Sequence, residues 1–430
     1  MKASYLKTPP MRIAVLSLVL SVISASCARG PVTVIPEDVY LAREARAVAA
    51  TLTTEEKAAQ VLMTGIDGKE SFAPWLYDHF RGTVPGAILL FRHNIADSAS
   101  GVSCYLRDCD RAFFALGSSV PPVFAIDHEG GTVFRTAGVT SALPSAATVA
   151  RRLTPEKAKA LYRASGEELA LLGIGLNLAP VAETLTDDNA DFLGTRAYSA
   201  SPDIVARYAR SAVTGFQEGG VACAVKHFPG NGVGDPHRGL PRLGVSRKIL
   251  DSRYIDPFRK TLKAKPDAVL VSHVVVTAID PERPFCLSKK GVTGLLRKKL
   301  GFTGLVITDD VAMTALAGNG YEPESAALLA LSAGCDMIMS SAPDSRRLAN
   351  AIAREAEHDP AFMRRLDEAV SRILAVKAKT GAIWTARERL ALSRMGDARN
   401  NTASLDAVRG ERFRAANRDA EAILGDINGK

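Results

Sequence analysis

The amino-acid sequence predicts an α/β fold, a (β/α)8 barrel, and three observations carry that expectation. Short apolar, β-rich runs recur eight times with helical stretches between them. The runs are nearly continuous in apolar residues rather than alternating, as expected for strands buried on both faces of a parallel sheet. Charged or polar residues stand at the C-terminal ends of several runs, where a barrel gathers its chemistry. An open doubly wound sheet is the competing fold. It calls for a glycine-rich dinucleotide turn after the first strand, and none follows residues 60–64.

In chain order the runs are 60–64 (QVLMT), 86–91 (GAILLF), 122–127 (PVFAID) and 174–180 (IGLNLAP). Then come 221–227 (VACAVKH), 267–273 (DAVLVSH), 304–309 (GLVITD) and 335–340 (CDMIMS). The stretches between them read as helices. Residues 154–172 open on a Thr cap with Pro at the first helical position and then keep one apolar face. Residues 202–218 and 322–331 have the same character.

Composition excludes several classes. With 430 residues, 47% hydrophobic and 23% charged, the chain is neither disordered nor a coiled coil. Six Cys are too sparse for a disulfide scaffold, and no CxxC or HExxH pair supplies a local zinc signature. No metal or cofactor is expected. Cys104 and Cys109 are close enough in sequence to pair, and spacing alone leaves both states open. The net charge is +8, but Lys2, Lys7 and Arg12 stand in the first twelve residues without an acid to balance them. The remaining excess is spread thinly, with no dense basic run interleaved with aromatics. Nucleic acid is therefore not an expected partner.

The N-terminus reads as an export signal. Residues 13–23 are apolar except for serines, a run too short to span a bilayer and matched to a signal-peptide core. Ser24, Ala25 and Ser26 precede Cys27, which resembles a bacterial lipoprotein cleavage site with Cys27 as the lipid anchor. The usual large aliphatic residue three positions before the Cys is Ser24 here, and ordinary cleavage near Ala28 is the other reading. The expected organisation is a signal at 1–27, a linker at 28–45, the barrel at 46–385 and a polar helical tail at 386–430, with a helix at 411–424. The expected location is the periplasm, free or held to the membrane by a lipid.

Asp127 ends the third run, Lys226 and His227 the fifth, His273 the sixth, and Asp309 with Asp310 the seventh, while Asn177 lies within the fourth. A charged side chain that ends a buried run must be paired or face a polar cavity. Several on separate strands are best explained as the lining of one site. The third run continues as DHEGGTVFR over 127–135, whose paired glycines allow a turn that brings Arg135 back towards the mouth. The loop 226–241 (KHFPGNGVGDPHRGLP) is long and without strand or helix pattern, which marks function. It carries Asp235 and His237, two residues apart, so the carboxylate can orient the imidazole for proton transfer. A retaining glycosidase needs a carboxylate nucleophile and a second group that first donates and later removes a proton. Asp309 and His237 fit those two parts.

These stretches together resemble family 3 glycoside hydrolases, in the β-N-acetylglucosaminidase branch that trims peptidoglycan. The resemblance runs from about residue 52 to 380 through LTTEEKAAQVLMTG, PGAILLFRHNI, AIDHEGGTVFR, GIGLNLAPVAE, LGTRAYS, KHFPGNGVGDPHRGLP, GLLRKKLGFTGLVITDDVAM and AGCDMIMS. KHFPG and the D-x-H element after it are the most specific. The D-x-H loop separates this branch from the β-glucosidases, whose acid/base comes from another domain. The resemblance implies Asp309, the first Asp of ITDD, as nucleophile, and His237 oriented by Asp235 as acid/base. It implies that Asp127, Arg196, Lys226 and His227 grip sugar hydroxyls, with Arg135 supporting nearby. His273 and Met313 match positions near the same pocket, and Asp310 is structural.

Three residues depart from the family pattern: Asn231 where His is common, Pro236 within the D-x-H element, and Glu183 where Asp is common after APV. The chain ends at residue 430, which the resemblance reads as a barrel with no second α/β sandwich domain. The implied activity is exo-hydrolysis of terminal β-linked N-acetylglucosamine from peptidoglycan fragments or related glycans, by a monomer acting on a small carbohydrate or muropeptide. A β-glucosidase-like or phosphorolytic relative is one alternative, and a glycan-binding lipoprotein that does not cleave is another. A metal hydrolase using His227, His237, His273 and Asp309 is a third; such sites usually need an H-x-H early in the barrel, and the first strand has no His.

Overall fold

The computed structural model describes residues 43, 45–232, 239–341, 345–382 and 402–427. The expected signal with Cys27, most of the linker, and Asp235, Pro236 and His237 lie outside the described residues.

Eight parallel strands form one sheet in chain order. They are β1 (Leu62–Gly65), β2 (Ala87–Leu90), β3 (Val123–Ile126), β4 (Leu176–Asn177), β5 (Ala222–Phe228), β6 (Ala268–Val271), β7 (Leu305–Thr308) and β8 (Ile338–Ser340). β8 returns to pair with β1, placing Ile338 opposite Leu62. An Ile307–Met337 bridge joins β7 to β8, and the Thr308 N–H donates to the Met337 carbonyl at 3.0 Å. The sheet is a nearly closed (β/α)8 barrel, and each apolar run became one of its strands. β4 is the shortest of them at 2 residues. β5 is the longest at 7 residues and includes Lys226 and His227 near its end, where its register with β6 shifts between Val225 and Phe228.

Local chemistry starts the helices where the sequence marks them. α1 (Thr54–Gln60) opens on a capping box: the Glu56 N–H donates to Thr53 Oγ1 at 3.2 Å, and the Thr53 N–H donates to Glu56 Oε2 at 2.9 Å. α2 (Ala99–Ala115) holds both Cys104 and Cys109, which are free thiols, one exposed and the other buried. Five residues along a helix put the two side chains on different sides, so their closeness in sequence makes no disulfide. α3 (Pro155–Leu172) is capped by Thr154 and ends on Gly173 at φ 103°. α4 (Pro202–Glu218) lies close against α3. A Cβ on Gly215 would come within 2.5 Å of the Lys159 carbonyl, so the approach of the two helices needs a glycine there. α5 spans Pro323–Ala333 and α6 spans Pro360–Thr380.

The tail forms α7 (Thr402–Ile427), longer than the expected 411–424. It packs on α3 by burying Ala416 and Ala420. Arg412 and Asp419 add ion pairs to Glu167 and Arg163 at 3.0 and 3.2 Å. Among the described residues, no helix is long and apolar enough to cross a membrane.

The N-terminal end of the barrel holds two buried charge problems, solved differently. Asp336, just before β8, is fully buried and takes ion pairs from Arg297, Arg365 and Arg372. Lys377 of α6 is also fully buried, but among the described residues its Nζ donates to neutral acceptors, Gln60 Oε1 at 2.6 Å and the Pro121 carbonyl at 2.7 Å. Burial pushes its pKa well below the ordinary value. The folded state therefore binds fewer protons than the unfolded state in the window below the unfolded lysine value, near 10.4. Stability contributed by this site must rise with pH through that window. Urea unfolding at about pH 7, 8 and 9 is expected to show the wild type gaining stability relative to Lys377→Met as pH rises. A difference independent of pH would contradict this account.

Candidate active site

The C-terminal ends of β3, β5 and β7 and the segments that follow them bring buried charges together. Lys226 Nζ lies 2.5 Å from Asp127 Oδ1 and 2.6 Å from Glu129 Oε1. Arg196 closes the group with a bidentate contact, donating from Nε to Glu129 Oε2 at 2.8 Å and from Nη2 to Oε1 at 2.9 Å. The arginine also lies over the Phe192 ring, 5.0 Å from its centroid. Burial alone would raise the Glu129 carboxyl, yet Lys226 and Arg196 bring it down to about 2. Burial likewise opposes the Lys226 charge, but Asp127 and Glu129 hold its pKa above the ordinary lysine value.

Glu129 was not among the expected site residues. It sits in a hairpin formed by His128–Gly130 and Val133–Phe134. Gly130 and Gly131 turn this hairpin with φ of 91° and 61°. The signal was present in spacing, since residues two apart on an extended chain share a face and Glu129 follows Asp127 by two. The hairpin is anchored from below. Asn177 of β4 accepts from the His128 N–H at 3.0 Å and donates to the His128 carbonyl at 3.1 Å. The buried His128 ring meets Ser165 of α3 at 2.9 Å and Thr136 at 3.2 Å. Burial lowers its pKa to about 3, so this imidazole is neutral and serves as an anchor. Asn177, read from sequence as part of the polar cluster, therefore holds the hairpin. Arg135 follows the hairpin with its Nε buried and without a hydrogen-bond partner among the described residues.

His227 Nδ1 lies 2.6 Å from Glu183 Oε1, and its Nε2 is 3.5 Å from Arg196 Nη2. Glu183 also accepts from the Asn231 backbone N–H at 2.5 Å and from Asn231 Nδ2 at 3.2 Å. Two departures from the family pattern, Glu183 and Asn231, thus meet each other. The glutamate joins the His227 ring to the first part of the long loop.

Asp309 follows β7, where its N–H donates to the Val271 carbonyl at 2.9 Å. Its Oδ1 accepts from the Asp310 N–H at 3.0 Å. Burial works to raise its pKa, but His273, His227, the Asp310 N–H and Lys226 together lower it below the usual carboxylate value. Asp310 is pinned separately. Its Oδ1 accepts from the N–H groups of Ala312 at 2.9 Å and Ser341 at 3.0 Å, and its carbonyl lies 2.8 Å from His273 Nε2. The second nitrogen of His273 lies 3.1 Å from Cys286 Sγ, so both ring nitrogens are engaged by the protein. His273 reaches the site through Asp310 and has no free nitrogen for a hydroxyl or a metal. Met313 donates its N–H to the Asp310 carbonyl at 3.1 Å and opens the short helix that follows.

The described residues thus bring Asp127, Arg196, Lys226 and His227 into one network, with Asp309 within electrostatic reach. Among those residues no hydrogen bond joins the side chains of Arg135 or Met313 to it. Asp235 and His237 lie outside the described residues. Among the described residues, no group of three or more His, Cys, Asp or Glu could hold a metal ion.

In sequence and fold the chain is similar to known glycoside hydrolases. The family described as "Glycosyl hydrolase family 3 N terminal domain" matches residues 53–376. A β-hexosaminidase from Idiomarina loihiensis is 32% identical over 258 residues, covering 59% of this chain and 75% of that protein. The structure of a glycoside hydrolase family 3 β-N-acetylglucosaminidase from Paenibacillus sp. FPU-7 superposes with a TM-score of 0.72 at 30% identity, over 80% of this chain and 68% of that one. A β-N-acetylhexosaminidase structure from Beutenbergia cavernae gives 0.68 at 29% identity, over 76% of this chain and 99% of that one.

Removing the Glu129 charge takes from Arg196 its bidentate partner and from Lys226 one of its two paired carboxylates. Glu129→Gln is expected to lower stability at neutral pH by about 3–5 kcal/mol. A carboxylate with a depressed folded pKa stabilises above its unfolded value, near 4.3, and loses that contribution as pH falls towards about 2. The gap between wild type and variant in urea unfolding should therefore narrow as the pH is taken below the unfolded value. A gap that widens on acidification would contradict the pairing.

Proposed function

Because the chain belongs to glycosyl hydrolase family 3, we propose that it removes terminal β-linked N-acetylglucosamine by double displacement, with retention at the anomeric carbon. It is a glycoside hydrolase of the β-N-acetylhexosaminidase type, in keeping with its relatives. The observation that carries the mechanism is Asp309, a half-buried carboxylate at the barrel mouth whose pKa is held below the ordinary carboxylate value by His273, His227, the Asp310 N–H and Lys226. An ionised carboxylate is what a glycosyl nucleophile requires.

In the first step an Asp309 oxygen forms a bond to the anomeric carbon as the bond to the leaving-group oxygen breaks. His237, oriented by Asp235, donates a proton to that oxygen. In the second step His237 takes a proton from water, and the water oxygen displaces Asp309 from the anomeric carbon. Lys226 and Arg196 offer N–H donors to sugar hydroxyls, and Asp127 offers an acceptor. Their mutual ion pairs fix these groups before substrate arrives, so little reorganisation remains during reaction. Peptidoglycan fragments outside the cytoplasm are the proposed natural substrate. The apolar segment 13–23 with small residues before Cys27 supports export, and the D-x-H element supports the N-acetylglucosamine preference.

Turnover of an aryl β-N-acetylglucosaminide tests this reading. Asp309→Ala is expected to lose at least about a thousandfold in kcat, and NMR of the wild-type reaction should show the β-anomer of the sugar forming first. A variant at wild-type rate, or an α-anomer formed first, would defeat the mechanism. His237→Ala should lose most activity on substrates with poor leaving groups and much less on activated aryl glycosides, because only the former need a proton at departure. Equal losses on both would remove His237 from the acid role.

A further inference from the structure

We propose that Cys286 is a positioning residue, whose thiol donates to His273 Nδ1 and so fixes the imidazole tautomer that holds the backbone beside Asp309. The inference deepens the glycosidase reading and rests on it for its kinetic consequence.

The hydrogen-bond roles follow from what each partner can do. His273 Nε2 lies 2.8 Å from the Asp310 carbonyl oxygen. A carbonyl only accepts, so Nε2 must carry a proton. In a neutral ring Nδ1 is then the lone-pair nitrogen, and Cys286 Sγ lies 3.1 Å from it. Cys286 and His273 are both fully buried, which leaves water no part in this choice. Burial also keeps the sulfur as a thiol, pushing its pKa well above the ordinary value. The S–H therefore points at Nδ1. The opposite tautomer would set the Nε2 lone pair against a carbonyl and leave the thiol facing an N–H. Both contacts select the same proton position. The Cys286 carbonyl is in turn met by Cys335 Sγ at 3.4 Å, so the segment bearing the thiol is itself held.

The consequence reaches Asp309 through one residue. The Asp310 carbonyl accepts from His273, its side chain is bound by the Ala312 and Ser341 N–H groups, and its own N–H donates to Asp309 Oδ1. A ring free to change tautomer would release one of these restraints and let the Asp309 carboxylate wander from the anomeric carbon. Such a defect lowers kcat more than it raises KM, because Asp309 bonds to substrate only in the chemical step.

Ala and Ser have nearly the same size, so Cys286→Ala and Cys286→Ser leave equal space and differ in the donor. With the aryl β-N-acetylglucosaminide, Cys286→Ala should lose about three- to tenfold in kcat with KM within about twofold, the scale of one hydrogen bond. Cys286→Ser should stay within about twofold of wild type in both. A packing role alone predicts the reverse order, since a buried hydroxyl is harder to accommodate than a methyl group. Equal kcat losses in the two variants, or a larger loss with Ser, would overturn the proposal. A readout that needs no turnover is the infrared S–H stretch of Cys286, identified as the band lost in Cys286→Ser. It should lie below that of Cys223, whose Sγ is 3.9 Å from its acceptor carbonyl, and should rise in His273→Ala. A band unmoved by His273→Ala would also overturn it. A shifted band in an enzyme that turns over no N-acetylglucosaminide would instead defeat the glycosidase reading, and with it any part for Cys286 in that reaction.

Discussion

A buried ammonium that is to stay charged must be matched by carboxylates, and Lys226 has two, Asp127 and Glu129. That constraint organises the mouth of the barrel. Lys226 stands near the C-terminal end of β5, and the chain after β3 continues into a hairpin whose first strand sets Glu129 beside it. Arg196 then has a fixed fork of oxygens to bind, and Phe192 is covered by its guanidinium. Loss of any one partner would strand the others in a low-dielectric site, which costs several kcal/mol. The same charges that demand pairing are the donors and acceptors a pyranose needs, so the fold's electrostatic requirement and the proposed sugar site are one arrangement. At the opposite end of the barrel, Asp336 with Arg297, Arg365 and Arg372 shows the same rule with the signs reversed.

Asp309 is governed by a second layer that touches it indirectly. Asp310, next in sequence, is restrained through its side chain, its carbonyl and its N–H. This arrangement separates two jobs that adjacent aspartates would otherwise share. One carboxylate lies within electrostatic reach of Lys226; the other takes two backbone N–H groups on its Oδ1. His273 belongs to this supporting layer: both its ring nitrogens meet protein partners, and through the Asp310 carbonyl it braces the neighbour of Asp309.

The barrel was legible because strands buried on both faces must be apolar along their whole length, and no other common element writes that pattern eight times between helices. The strand-end charges were legible because a charge closing such a run has few explanations. What escaped were relations between segments far apart in the chain. Glu129 looked like part of a turn until Lys226 and Arg196 lay beside it. Asn177 looked like a site residue until its amide was found clamping the His128 backbone. Glu183 and Asn231 looked like two unrelated departures, and only the fold shows that each is the other's partner. Cys104 and Cys109 failed to pair for a local reason that sequence spacing alone does not show: both lie on one helix, on different sides.

The central claim is that Asp309 forms a covalent bond to the sugar. A fluorinated N-acetylglucosaminyl fluoride, which slows release of the intermediate more than its formation, gives the most direct test when followed by peptide mass spectrometry. The account predicts one sugar per chain, attached to the peptide that contains Asp309, and no label on Asp309→Asn. A label on another residue, or full turnover of substrate with inversion and no label at all, would contradict it.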